Sequence, residues 1–153
     1  MDAKEYLKRY AALKMEARSN EERILQAFND TQIPAMKQGD GSQRTAGSGD
    51  RHESAMIRYI EVKDRLQPQV DANKAEMKEI EDAINSLDDG LQREVLRVRY
   101  IDADGWRPLL WRFVALKMYK SDEEKDVQQV QRIHRKAIEA LDAVLAAKEK
   151  SPQ

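Results

Sequence analysis

Two stretches near the end of the chain decide how it folds: Arg97-Val-Arg-Tyr-Ile-Asp-Ala-Asp-Gly-Trp106 and Val130-Gln-Arg-Ile-His-Arg-Lys-Ala-Ile-Glu-Ala-Leu141. The first reads as a helix that ends in an Asp-Gly turn and feeds an aromatic anchor, Trp106, toward the next helix. The second is an amphipathic helix whose outer face is cationic. A short helix from about Pro108 to Met118 is expected between them, with Pro108 in its first turn, where a missing N–H costs nothing. Compact helices that end in a basic amphipathic helix are how helix-turn-helix units offer side chains to a major groove. An all-α fold follows.

Composition narrows the class. The chain has 153 residues, enough for one domain or a small domain plus an arm. Charged residues make up 36% and aromatics 6%, a balance that suits exposed helices better than a large core. The net charge is −1, so bulk charge does not advertise nucleic acid. There is no cysteine, which removes disulfides, thiolate metal sites and cysteine nucleophiles. Met1-Asp-Ala-Lys-Glu-Tyr6 is charged where a signal peptide turns apolar, and no apolar run approaches a bilayer span of about 20 residues. A cytoplasmic protein without a membrane partner is expected.

Working outward toward the N-terminus, residues 1–87 read as a helical hairpin arm. Tyr6, Tyr10, Leu13, Ala17, Asn20, Ile24 and Ala27 alternate four and three apart, in one helical seam. Met56, Tyr59, Lys63, Leu66, Val70, Asn73, Met77, Ile80, Ile84 and Leu87 form a second seam. Pro68 predicts a kink near Leu66 or a new helix starting there. Neither seam can be buried alone, so the two helices should fold together or assemble with a second subunit. Between them, residues 31–52 read as a mobile loop. The segment Gly39–Asp50 holds four of the six glycines and no large apolar residue. A phosphate-cradling loop would need a strand before it and a Lys-Ser/Thr pair after the last glycine, and both are missing.

Residues 88–148 form the second part, and 149–153 a disordered tail. Asp88-Asp89-Gly90 is turn chemistry, followed by a helix ending near Tyr100. Leu109, Leu110, Phe113, Val114 and Leu116 give the middle helix an apolar face. Ser121-Asp-Glu-Glu124 matches a capping box for the last helix. Val127, Val130, His134, Ala137, Ile138, Leu141 and Leu145 make the last helix's inner face. On a wheel at about 100° per residue, Arg132 points away from that face, flanked by Lys125, Gln128, Gln129 and Lys136, with Arg135 at the margin. Arginine contacts guanine bidentately and glutamine contacts adenine, so Lys125, Gln128, Gln129 and Arg132 are base-reading candidates. Arg135 and Lys136 are suited to phosphates. Residues 90–136 carry 11 Lys and Arg against 7 Asp and Glu, whereas residues 1–89 carry 14 against 18. The cationic excess lies on the expected reading unit. Asp122, Glu123, Glu124 and Asp126 oppose it locally. They suit a helix N-terminus but repel phosphate.

Catalytic and metal readings find little support. His52 and His134 are the only histidines, and no motif ties either to carboxylates. Asp102-Ala-Asp-Gly105 lacks the further oxygen ligands and terminal glutamate of a calcium loop. Trp106, Trp111 and Phe113 read as core anchors, Trp111 being the best candidate for an exposed partner contact. No enzymatic activity and no cofactor are expected.

The pattern Arg97-x-Arg99-Tyr100-Ile-Asp102, then Trp106, then Arg132-Ile-His134 and Ala137, resembles the C-terminal unit of phage-encoded transcription regulators of the ArpU and RinA type. Lys4-Glu-Tyr-Leu7 and the Gly-rich segment between two helical stretches fit as well. The resemblance implies a helix-turn-helix related to region 4 of sigma-70 factors, and regulation of phage late genes through sequence-specific binding to double-stranded DNA. Arg107, Arg112 and Lys117 on the helix before the reading helix would hold phosphates. The arm would form a homo-oligomer or contact bacterial RNA polymerase. The segment Lys117–Asp126 departs from the family's short Gly-containing turn. Two other classes share these features: a small terminase subunit for DNA packaging, and a coiled-coil interaction module that never touches DNA.

Overall fold

The computed structural model describes residues 2–32 and 47–150, and every regular element among them is helical. These are α1 (Ala3–Asp30), α2 (Gly47–Asn85), α3 (Gly90–Leu96) with a π-helical turn (Arg97–Ile101), α4 (Trp111–Tyr119) and α5 (Glu124–Glu149). The all-α class is therefore as the sequence patterning required.

The chain divides into two compact units, residues 1–15 with 75–153, and residues 16–74. The division does not fall at 87/88, because α1 and α2 each contribute to both units. In the first unit, Ala3, Leu7, Tyr10 and Leu13 of α1 meet Ile80, Ala83 and Ile84 of α2, Leu87 just beyond its end, Leu96, Tyr100, and Ala137 and Leu141 of α5 in one core. Apolar side chains at helical spacing on four elements thus share a single interior, which is what lets a chain with so many charges fold. The entry to this core is locked at the start of α1. Asp2 Oδ1 accepts from the Glu5 N–H at 2.8 Å, and the Ala3 N–H donates to Asp142 Oδ1 on α5 at 2.8 Å. Two orphan donors of the helix N-terminus are satisfied in this way. Tyr10 reaches Glu81 at 2.9 Å, and Arg9 reaches Glu76 at 2.8 Å.

The second unit is a helical pair. Ala17, Asn20 and Ala27 of α1 and Leu66 and Val70 of α2 are buried, Phe28 meets the Tyr59 ring edge-on at 5.5 Å, and Lys74 pairs with Glu21 at 3.2 Å. The first seam has the expected register. The second needs correction at its start, where Met56 and Lys63 face solvent. Helix α2 also runs unbroken through Pro68. Pro68 and Asp64, whose carbonyl lacks an N–H partner there, are both exposed, so water can satisfy that carbonyl. Residues 47–52, expected to be loop, form the first turns of α2, with Asp50 favourably placed for the helix dipole. The rest of the expected loop from residue 33 to 46 lies outside the described residues, as do residues 151–153 of the expected tail. Of the segment 149–150, Glu149 ends α5 and Lys150 caps it.

Candidate nucleic-acid interface

The candidate interface is built from α3, the π-helical turn, α4 and α5. Asp89 caps α3, accepting from the Leu91 and Gln92 N–H groups at 2.8 and 3.3 Å. The helix then widens: the Asp102 N–H reaches back five residues to the Arg97 carbonyl at 2.8 Å. The widened turn buries Val98 and Tyr100 while Arg99 stays at the surface margin. Arg99 and Leu109 then clasp each other twice. The Leu109 N–H donates to the Arg99 carbonyl at 2.9 Å, and the Arg99 guanidinium donates to the Leu109 carbonyl at 2.6 Å.

That clasp corrects two expectations. It draws residues 108–110 into an extended path, so α4 begins at Trp111 and not near Pro108, with Leu110 at φ −58°, ψ 145° as its cap. It also leaves the bend between Asp102 and Arg107 projecting, so Trp106 is 66% exposed and anchors nothing. Trp111 is the anchor instead. It packs against the core of Val98, Val114, Ala115 and Val130, meets the His134 ring at 4.7 Å and lies 3.7 Å under the Arg99 guanidinium. Leu110 and Phe113, expected inside, are exposed at 63% and 42%, because the buried side of α4 runs through Val114 and Ala115.

Helix α4 ends at Lys120, whose backbone is left-handed at φ 59° and whose N–H returns to the Leu116 carbonyl at 3.0 Å. Only Lys120 to Glu123 separate α4 from α5. The capping box does not form. Ser121 Oγ accepts from the Glu123 N–H at 3.2 Å, Glu123 takes the cap position, and no side chain among the described residues caps α5. The two helices pack through Val114, Ala115, Val127 and Val130, which fixes a short-turn pair.

The outward face of α5 carries the expected side chains. Lys125, Gln128, Gln129, Arg132, Arg135 and Lys136 are all at the surface, and Val130, Ile133, His134, Ala137 and Leu141 are buried. Ile133 belongs to the inner face although the sequence seam omitted it. Gln129, Arg132, Arg135 and Lys136 come together around a depression of about 590 Å³ with Glu139 as its carboxylate. Lys125 and Gln128 lie nearer the start of the helix and are engaged locally: Lys125 with Glu123 at 3.7 Å, and Gln128 donating to Glu124 at 3.4 Å. Among the phosphate candidates, Arg112 and Lys117 are exposed on α4, and Arg112 pairs with Asp122 at 3.4 Å. Arg107 is exposed but lies in the bend before α4, not on the helix. Exposed pairs of this kind are weak, worth about 0–1 kcal/mol, so Arg112 and Lys125 can exchange their carboxylates for other anions.

One part of the surface escaped the sequence reading. Lys4 and Lys8 of α1 line a cleft with Arg99, Trp111, His134 and Arg135. His134 is 6% exposed, and its Nε2 shares a hydrogen bond with the Tyr100 hydroxyl at 2.7 Å. Burial first, and then the Arg99 and Lys4 charges, push the imidazole down to about 4, so it is neutral at physiological pH. Burial raises the Tyr100 hydroxyl, which therefore stays protonated. The available signal was the i, i+4 spacing of Lys4 and Lys8 beside the seam residues Ala3 and Leu7. Among the described residues no cluster of His, Asp or Glu could hold a metal ion, and no helix is long and apolar enough to cross a membrane. The chain matches no protein-family model, and comparison with curated proteins and solved structures found no match.

Proposed function

We propose that this chain binds double-stranded DNA sequence-specifically and regulates phage late-gene transcription, with α5 entering the major groove from the α4–α5 pair. The observation that carries the reading is the four-residue connection between two helices packed through Val114, Ala115 and Val130, with Gln128, Gln129 and Arg132 on the free face of the second. A helix held in this way offers its exposed side chains to base edges while its partner helix meets the backbone. Arg132 and the two glutamines are the base readers. Arg112, Lys117, Arg135 and Lys136 take phosphates, and Arg107 does so from the bend.

Assembly through the arm, with a second copy or with RNA polymerase, is part of the same proposal. Leu25, Phe28, Met56, Ile57 and Ile60 of residues 16–74 are each at least 38% exposed, a concentration of large apolar side chains that suits a protein contact.

The test is a competition titration against specific and scrambled duplexes at two salt concentrations. Arg132→Ala should weaken the specific complex by about 1–3 kcal/mol and relax preference at one position. Lys117→Ala should weaken all duplexes alike and lower the salt slope by about one. Wild-type binding to the specific site by Arg132→Ala would remove α5 as the reading helix. Absence of salt-dependent binding by the wild type would remove DNA as the ligand.

A further inference from the structure

We propose that the cleft where the first two turns of α1 meet the π-helical turn and α5 is a phosphate-binding site, with Lys4, Lys8, Arg99 and Arg135 as the cationic groups that hold the anion.

The cleft encloses about 430 Å³ and draws its four cations from three separate elements, with Glu139 as the carboxylate on its wall. Among the described residues none of these four cations is in an ion pair, whereas Arg9, Lys14, Lys74, Lys78, Arg97, Arg112 and Lys125 all are. Two carboxylates near the start of α1 are engaged by backbone donors. Asp2 caps the Glu5 N–H, and Asp142 accepts from the Ala3 N–H. Four cations around one carboxylate leave an excess of positive charge that repels itself, and an anion that enters relieves that repulsion as well as gaining attraction.

Arg99 is the prepared member of the set. Its guanidinium is held by the Leu109 carbonyl at 2.6 Å and stacked on Trp111 at 3.7 Å, and its buried Nε has no acceptor among the described residues. A donor already fixed by packing loses little freedom when it binds, and guanidinium matches a phosphate better than any other side chain does. The same stacking says what the cleft does not bind. Arg99 occupies a face of Trp111, and the Trp111 and His134 rings meet edge to face, so these aromatics are already committed to packing. The recognised group is the anion. The cleft's volume falls within the range of small-ligand sites, about 300–1,000 Å³, so a phosphomonoester with a sugar attached fits as well as one backbone phosphate of a duplex. The neutral His134 adds no charge; burial is the main cause of its displacement toward acid, and the Arg99 and Lys4 charges add to it.

The site stands whether or not the chain binds DNA, and the test separates the two questions. His134 lines the cleft and the only other histidine, His52, does not, so the imidazole resonances form a built-in reporter and control. Inorganic phosphate is titrated into the full chain at constant pH and ionic strength, with chloride as the balancing salt. The expected result is a saturable shift of the His134 ring signals with His52 unmoved, and at least a tenfold weaker response in the Lys4→Gln/Lys8→Gln double variant. Both lysines are exposed, so the variant should retain the wild-type melting temperature. A His134 signal that phosphate leaves in place, or that moves equally in the folded double variant, overturns the proposal. Two further arms identify the source of the phosphate. If the duplex supplies it, the double variant lowers the salt slope of DNA binding by about one for each phosphate it no longer neutralises. If a small phosphoester supplies it, a nucleoside monophosphate reproduces the His134 shift and the double variant binds duplex as the wild type does. Either result upholds the cleft. A wild type that responds to phosphate and ignores every duplex upholds it too, and fails only the DNA reading.

Discussion

At residue scale, His134 shows how one position can be read correctly from its spacing and still conceal its chemistry. Its place on the inner face of α5 follows from the helical period, and it is buried as that period requires. Its partners could not be read in the same way, because Tyr100, Trp111, Arg99 and Lys4 reach it from other elements. Burial, assisted by the Arg99 and Lys4 charges, lowers the folded-state pKa from the ordinary 6.5 to about 4. Between those values the unfolded chain binds a proton that the folded chain refuses. Stability is therefore fully present above pH 6.5 and declines as pH falls toward 4, with a slope of up to about 1.4 kcal/mol per pH unit from this group. Urea midpoints measured from about pH 7.5 to 5, a window above most carboxylate titrations, should fall for the wild type. In His134→Gln they should stay nearly flat. A flat wild-type profile would mean that the ring is solvated or already paired with an acid. The outward residues were legible for the complementary reason. Arg132 and its neighbours need only the period of their own helix, whereas the Lys4, Lys8 and Arg99 cleft needs three elements to converge, and no local pattern records that.

At the scale of elements, the α4–α5 connection is the least legible part of the chain. Helices that turn sharply usually place Gly at the left-handed position after the last turn. Here Lys120 holds that position at φ 59°, so the strongest turn signal is absent and Ser121-Asp-Glu-Glu124 reads as a capping box that the fold does not form. The long α5, in contrast, follows directly from its apolar period, as do the faces of α1. The start of α4 was displaced by the clasp between Arg99 and Leu109, a tertiary contact that no local rule for Pro108 contains. A side chain in the left-handed region costs about 1–2 kcal/mol, against about 0.5–1 kcal/mol of extra backbone entropy for Gly. Lys120→Gly should then stabilise the fold by up to about 1 kcal/mol, and Lys120→Val should destabilise it by more than that. Chemical denaturation measures both. Greater stability in the valine variant would show that the turn is not left-handed in solution.

At the scale of the whole molecule, the question is what the two long seams bury. Their amphipathicity was legible, and so was their need for each other. What a seam cannot show is which of its residues meet a third or fourth element. Ile80, Ile84 and Leu87 end the second seam, which was expected to need the first helix or a second subunit to cover it. They are 2%, 0% and 4% exposed within this chain, closed over by Ala3, Leu7 and Tyr10 from α1 together with Leu96, Ala137 and Leu141. The N-terminal turns of α1 and the end of α2 therefore belong to the same interior as α5. A charge at Ile80 should act on the unit that carries α5, not on an independent arm. Burying an unpaired carboxylate costs several kcal/mol, a large share of the roughly 5–15 kcal/mol that holds a domain folded. Ile80→Asp should lower the melting temperature steeply, and the DNA binding proposed for α5 should be lost together with helicity. Ile60→Asp changes a side chain 51% exposed in residues 16–74, so it should leave the fold and duplex affinity intact and alter only sedimentation mass if that surface assembles. Unchanged melting in Ile80→Asp would place Ile80 at the surface and dissolve the shared core. Loss of duplex affinity in a folded Ile60→Asp would show that assembly through residues 16–74 is required for DNA binding.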